Sequence, residues 1–394
     1  MADATPEPKA GFDRRDFLRG TVAVAGAAAA LATAKTAQAD APQTLAGGTV
    51  FTGDVQGGKP VVSHLNTEDL EPGKIHRLYF RGVERPSGPP CLVSVIVAKG
   101  AKPGKRITLT SGVHGDEMSS IRTVQAVMDG LEPAQMSGTV MAAVDIAGPA
   151  VESMQRRWTG WGRGAELVDL NREWPGNANG PSTAGRHAAL VFEHLLRPNT
   201  DFAIDFHTGT TGLDAAAFNI GDRSNPDVKR MMDLFPVGMI WDDPVYPSVL
   251  HNALIDVGIP CFTPEIGAAR SLNLPMIALF VEGTLNVLKH YGVVPGPLGR
   301  TGADVGVFIG DSAFPVLAST GGFVEMQVRL DDMVTAGQQV AVQRNAFGEV
   351  VANYASSVAG KVAGFRSDAM AEPGNVLMFI LFNSPAAAAE IYPE

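Results

Sequence analysis

The order of periodicities between Leu92 and Phe206 constrains this chain more than any other feature. Leu92-Val93-Ser94-Val95-Ile96-Val97 reads as a buried strand, and Arg106-Ile107-Thr108-Leu109-Thr110 as a second that stops at Ser111-Gly112. Met118 to Leu131 then carries apolar residues at helical spacing and ends near Gly130 and Pro133. A strand over 138–146, a Gly/Trp/Arg-rich loop over 151–180, a helix over 183–196 and a strand over 202–206 follow. Strands alternating with helices build an α/β domain around a largely parallel or mixed sheet, with ligands expected just past the strand ends.

Beyond Pro295-Gly296-Pro297 the texture changes to short β-type runs punctuated by glycine, at 321–330, 340–343, 348–354, 360–365 and 376–382. Closely spaced short strands with glycine turns suggest a small all-β barrel or sandwich. The expected division is therefore an α/β domain over 40–297 and a C-terminal β domain over 298–394.

A chain of 394 residues with 45% hydrophobic and 18% charged residues can bury a large core, which excludes disorder as its main state. Its net charge of -10 argues against nucleic acid as a partner, because phosphate binding needs clustered cations.

Residues 1–39 read as an address. Arg14-Arg15-Asp16-Phe17-Leu18-Arg19 leads into an uncharged small-residue stretch and then Ala37-Gln38-Ala39, the layout of a charged region, an apolar region and an A-x-A cleavage site. The paired arginines resemble a bacterial twin-arginine (Tat) signal, which implies contact with the Tat export machinery, cleavage after Ala39 and a periplasmic mature protein. No later apolar stretch reaches the roughly 20 residues of a spanning helix. Cys91 and Cys261 sit in apolar strand-like contexts, and their pairing is left open.

The chemistry-bearing residues gather at the predicted strand ends. His114-Gly115-Asp116-Glu117 follows one strand and opens a helix, so His114 and Glu117 fall one turn apart. An imidazole and a carboxylate suit zinc, and a catalytic zinc needs a third protein ligand. His207 in Asp205-Phe206-His207-Thr208-Gly209 is the best candidate, with Asp205 placed to orient its ring, whereas the six other histidines lack such a setting. Between them, Asp169-Leu170-Asn171-Arg172-Glu173-Trp174-Pro175-Gly176 offers an amide beside a guanidinium that can grip a carboxylate. Thr263-Pro264-Glu265-Ile266-Gly267 delivers a carboxylate to another strand end, where it can shuttle a proton.

These four motifs, in this order, resemble the succinylglutamate desuccinylase/aspartoacylase family of the zinc-carboxypeptidase-like clan. The resemblance implies a zinc-carboxypeptidase-like domain with a mixed sheet flanked by helices, plus a small C-terminal all-β domain. It implies one Zn2+ per chain held by His114, Glu117 and His207, with Asn171 and Arg172 on a substrate carboxylate and Glu265 as general base and acid. An arginine that polarises the scissile carbonyl is also implied; Arg163 looks closest, with Arg156 and Arg157 as competitors. Two features depart from the family pattern. No Lys or Arg occurs in Asn252 to Val257, where aspartoacylases carry a basic residue, although Arg270 is a substitute nearby. The substrate-capping tyrosine has only a loop candidate, Tyr246.

The expected function is zinc-dependent hydrolysis of the amide bond of an N-acyl amino acid or a similar small carboxylate. The alternatives are a metallocarboxypeptidase acting on short peptides or peptidoglycan fragments, and a non-catalytic zinc-dependent binder of small carboxylates. The expected partner is a small-molecule carboxylate, and homo-oligomerisation is left open.

Overall fold

The computed structural model describes residues 47–160, 166–243 and 247–384, so the export signal read at residues 1–39 lies outside the described residues. The strands of the first part are β1 (Val50–Gln56), β2 (Lys59–His64), β3 (Lys74–Glu84), β4 (Pro90–Lys99), β5 (Lys102–Thr110) and β6 (Ser137–Ala143). They are followed by β7 (Trp158–Gly160), β8 (Glu166–Val168), β9 (Phe202–Asp205), β10 (Leu213–Ala215), β11 (Ala217–Gly221), β12 (Met239–Asp242) and β13 (Cys261–Ile266). The remainder are β14 (Phe308–Gly310), β15 (Ser312–Leu317), β16 (Gly322–Met326), β17 (Met333–Val334), β18 (Gln339–Arg344), β19 (Val350–Ala355), β20 (Gly360–Arg366), β21 (Met370–Ala371) and β22 (Val376–Phe382).

Among the described residues, eleven strands form one mixed sheet in the order β1-β2-β3-β4-β6-β5-β9-β13-β11-β12-β14. Its centre, β6-β5-β9-β13, is parallel. Alternation along β4 sends Val93, Val95 and Val97 to one face and Ile96 and Ala98 to the other. The first face packs against the helices Thr183–Val191 and Leu250–Asp256; the second packs against Met118–Asp129, Pro226–Asp233 and Leu274–His290. Burial on both faces explains why the central strands are continuous apolar runs.

The helix Met118–Asp129 turns Val124, Val127 and Met128 to the core and ends at Gly130, whose N–H donates to the Val127 carbonyl. The predicted helix over 183–196 is α-helical only to Val191 and continues as a wider turn over Phe192–Leu196. The N-terminal lead-in, with no strand assigned from sequence, supplies β1 to β3.

The C-terminal residues form two further sheets, β10-β20-β22-β15 with β17 paired to β20, and β19-β18-β16-β21. Both are antiparallel and enclose a core of Val316, Val340, Val362 and Ile380. Strands cross between the architectures. The chain leaves β10 in this sheet and enters β11 in the main one, with the Ala216 N–H donating to the Ala363 carbonyl at 2.8 Å, while β14 pairs with β12. These crossings bring β20 and β22 alongside the ends of the central strands.

Candidate active site

The parallel neighbours β5, β9 and β13 end side by side, and this register assembles the site. Thr110 at the end of β5 pairs with Asp205 at the end of β9, and His207 bridges to Glu265 on β13. His114 and Glu117 lie in the turn after β5. That turn passes so close to the segment after β6 that a Cβ on Gly115 would meet the Ala150 carbonyl carbon at 1.9 Å, so only glycine fits there.

The side chains of His114, Glu117 and His207 are buried and converge on one point. Glu117 Oε1 lies 2.6 Å from His114 Nδ1, Glu117 Oε2 lies 2.9 Å from His207 Nδ1, and the two Nδ1 atoms are 3.1 Å apart. Each ring turns its other nitrogen to a carboxylate: His114 Nε2 is 2.9 Å from Asp169 Oδ1, and His207 Nε2 is 3.0 Å from Asp205 Oδ2. Asp205 is itself held by the Thr110 hydroxyl, which donates to Oδ1 at 2.7 Å. A carboxylate partner keeps the proton on Nε2, so both Nδ1 atoms present lone pairs to each other and to Glu117. Two imidazole nitrogens and a carboxylate brought this close could hold a cation, and the donor set fits a divalent metal of the zinc type.

Without a cation, the acid and the bases of this cluster stabilise each other's charged forms. Burial alone would raise Glu117, but the charges and hydrogen bonds of His114 and His207 outweigh it and hold its carboxyl well below the usual range. Burial alone would lower His207, and Asp205 and Glu117 reverse that and hold it well above the usual imidazole value. Asp169 is likewise pulled far down, against burial, by His114, Arg156 and Arg172.

Glu265 behaves in the opposite sense. Burial, followed by the nearby charge of Glu117, pushes its carboxyl up to about 8, and its Oε2 is buried without a hydrogen-bond partner. A carboxyl poised near neutral pH beside a cation site is suited to accept and return a proton.

Asn171 and Arg172 sit on a short turn, Leu170–Arg172, capped by Asp169, whose Oδ1 accepts the Asn171 N–H at 3.0 Å. The Leu250 N–H donates to Asn171 Oδ1 at 2.9 Å, and Arg172 donates to the Asn171 carbonyl at 2.8 Å. Of the candidate arginines, Arg156 reaches the cluster, 3.3 Å from Glu117 Oε1 and 3.2 Å from Asp169 Oδ2. Arg157 is exposed at the rim of the cavity, while Arg163 lies outside the described residues, as does Tyr246. Arg270, the proposed substitute for the missing basic residue, is exposed and lines neither chamber of the site; its backbone N–H donates to the Asp116 carbonyl instead.

Two chambers meet at Arg156, Arg172, Thr208, Ile220, Trp241 and Glu265. One, of about 210 Å3, contains the metal-type cluster with Asn171, His251 and Thr263. The other, of about 420 Å3, runs toward the C-terminal sheets and is lined by Leu213, Phe218 and Phe379.

Residues 103–291 match the family model of the succinylglutamate desuccinylase/aspartoacylase catalytic domain. Over these residues the chain is similar to that catalytic domain. The N-alpha-acetyl-L-2,4-diaminobutyric acid deacetylase of Halomonas elongata is 26% identical over 263 residues, covering 64% of this chain and 73% of that protein. The crystal structure of a succinylglutamate desuccinylase/aspartoacylase from Rhodobacter sphaeroides superposes with a TM-score of 0.70 at 19% identity, covering 80% of this chain and 98% of the other. The product-bound ectoine utilization protein EutE (DoeB) of Ruegeria pomeroyi gives 0.68 at 20% identity, over 79% and 97%. At these identities the two structures establish likeness of fold.

Within this site, sequence reasoning missed two residues. Asp169 was quoted only as part of its motif, yet it joins His114, Arg156 and the Asn171 turn. His251 was set aside as a helix histidine, but its helix packs along β13 and brings its Nδ1 to 2.8 Å from the Thr263 hydroxyl in the smaller chamber. The presence of Asp two residues before Asn171 was the available signal for the first; the second had none.

Proposed function

We propose that this chain is a zinc-dependent hydrolase that removes the acyl group from a small N-acyl amino acid, acting in the periplasm after export. The observation that carries this reading is the convergence of His114, Glu117 and His207 beside the buried carboxyl of Glu265, whose Oε2 has no hydrogen-bond partner. A zinc ion held by these three would supply a Lewis acid, lowering the pKa of water and drawing electron density from an amide carbonyl. Glu265 takes the proton of the attacking water and returns it to the departing nitrogen. Arg156 faces the place where negative charge develops on the carbonyl oxygen. Asn171 and Arg172 hold the substrate carboxylate, fixing the amide against Glu265.

A carboxypeptidase would use the same groups but needs an open groove for the upstream peptide. Ala363, Gly364 and Phe379, from β20 and β22, line the larger chamber, and the deacylase reading takes them as the boundary on the acyl side. The test combines metal analysis with hydrolysis of N-acyl amino acids and dipeptides. One zinc per chain is expected, with turnover of N-acyl amino acids falling about a thousandfold in Glu265→Gln while the metal stays. A Glu265→Gln protein as active as the wild type would remove the proton-transfer role on which the reading depends.

A further inference from the structure

The two chambers divide a substrate into halves, and the division assigns chemistry to each. Asn171 lines only the smaller chamber, so a carboxylate held by Asn171 and Arg172 puts the amino-acid half there. Arg156 and Glu265 stand where the chambers meet, which places the scissile carbonyl between them. The acyl half then extends into the larger chamber. Arg156, Arg157, Asp169, Arg172 and Glu265 line one part of it, and the rest is apolar: Leu213, Phe218 and Phe379, with Ile220 and Trp241 shared with the smaller chamber, and with space left by Ala215, Ala363 and Gly364. An apolar cavity of about 150 Å3 takes a benzene ring. The 420 Å3 here far exceeds an acetyl group, which would leave most of these walls in contact with water.

We propose that the larger chamber is an acyl-chain pocket, so that the preferred substrates carry a bulky apolar acyl group, a medium-length alkyl chain or an aromatic ring, on an amino acid small enough for the 210 Å3 chamber. This rests on the deacylase reading above. Each added methylene buried against the apolar walls strengthens binding about fourfold until the pocket is full. Leu213 and Phe379 come from strands of the sheet that holds β20 and β22, and Phe218, Ile220 and Trp241 from the main sheet, so both sheets shape the acyl side.

The experiment measures kcat/KM of the zinc-loaded protein on N-acetyl, N-butanoyl, N-hexanoyl, N-benzoyl and N-succinyl alanine. Hexanoyl is expected to exceed acetyl by about two orders of magnitude, and the same ratio is expected in calorimetric dissociation constants for the unhydrolysed compounds on Glu265→Gln. Leu213→Trp narrows the chamber and should collapse the hexanoyl-to-acetyl ratio. Should that protein fail to fold, Phe379→Ala serves instead, moving the optimum to longer chains. A preference for acetyl overturns the proposal and leaves the deacylase reading intact. A preference for succinyl overturns it by showing that exposed Arg157 reads a distal carboxylate. Hydrolysis of none of the five brings down both.

Discussion

His207 past the end of β9 and His187 in the helix Thr183–Val191 are both buried, yet their surroundings differ in kind. His207 lies between two carboxylates, Asp205 and Glu117, and its pKa is held well above the usual value against the effect of burial. His187 lies between two backbone groups, its Nε2 2.9 Å from the Ile146 carbonyl and its Nδ1 accepting the Val83 N–H at 3.4 Å. Burial then dominates and takes it down to about 4. Its ring also covers Gly82 so closely that a Cβ there would come within 2.3 Å of it. A buried histidine is therefore not by itself a sign of chemistry. What distinguishes the site is that carboxylates face the outer nitrogens of both rings while the inner nitrogens converge with Glu117 on one point.

The comparison breaks most visibly at the site. His207→Ala should lose the metal, measured by elemental analysis, and should lower turnover by at least about a thousandfold. Retention of one metal per chain would mean that the cluster is held by other groups. His187→Ala should do the reverse. It leaves a cavity and two backbone groups without partners, costing about 3 kcal/mol in urea unfolding, while metal content stays at the wild-type level. A loss of metal in His187→Ala would dissolve the distinction between the two regions.

The sequence made one of these regions legible and hid the other. Glu117, His207 and Glu265 could be read because local patterns place them at strand ends, and the parallel order of β5, β9 and β13 makes strand ends meet. Arg156 could not be singled out among the arginines. It lies in a segment without periodicity, and its position is set by ion pairs to Glu117 and Asp169, which lie far from it along the chain. The acyl-side wall was hidden for the same reason on a larger scale. β10 is three residues long, and its partner β20 lies about 150 positions further on, so no local pattern announces that Ala363 and Leu213 face one cavity. In β3, charged residues interleave with Leu78 and Phe80 because only part of the strand is covered, and the N-terminal strands passed as a lead-in.

A smaller effect sharpens the contrast at the carboxylates. Asp205→Ala removes the group that fixes the His207 proton on Nε2 without removing a ligand atom. A 10- to 100-fold weakening of metal affinity is expected, read by competition with a chelator. No change would mean that Asp205 does not orient the ring.

The smallest effect is the pH dependence of stability. His187 titrates at about 4 in the folded chain and near 6.5 when unfolded, so the unfolded chain takes up the proton first. The stabilising effect of keeping this ring neutral is complete above pH 6.5 and is lost as the pH falls toward 4. Between pH 7 and 5.5 the wild type should lose about 1 kcal/mol through this residue, and His187→Ala should lose nothing through it. His251, also lowered to about 4 by burial, is present in both proteins and cancels in their difference. The stability gap between wild type and His187→Ala, measured by urea unfolding of the metal-free proteins, should therefore shrink from about 3 to about 2 kcal/mol across that interval. A gap that stays constant would show that the fold leaves the His187 pKa at its unfolded value, and a gap that widens would show that the folded ring holds its proton more tightly than the unfolded one.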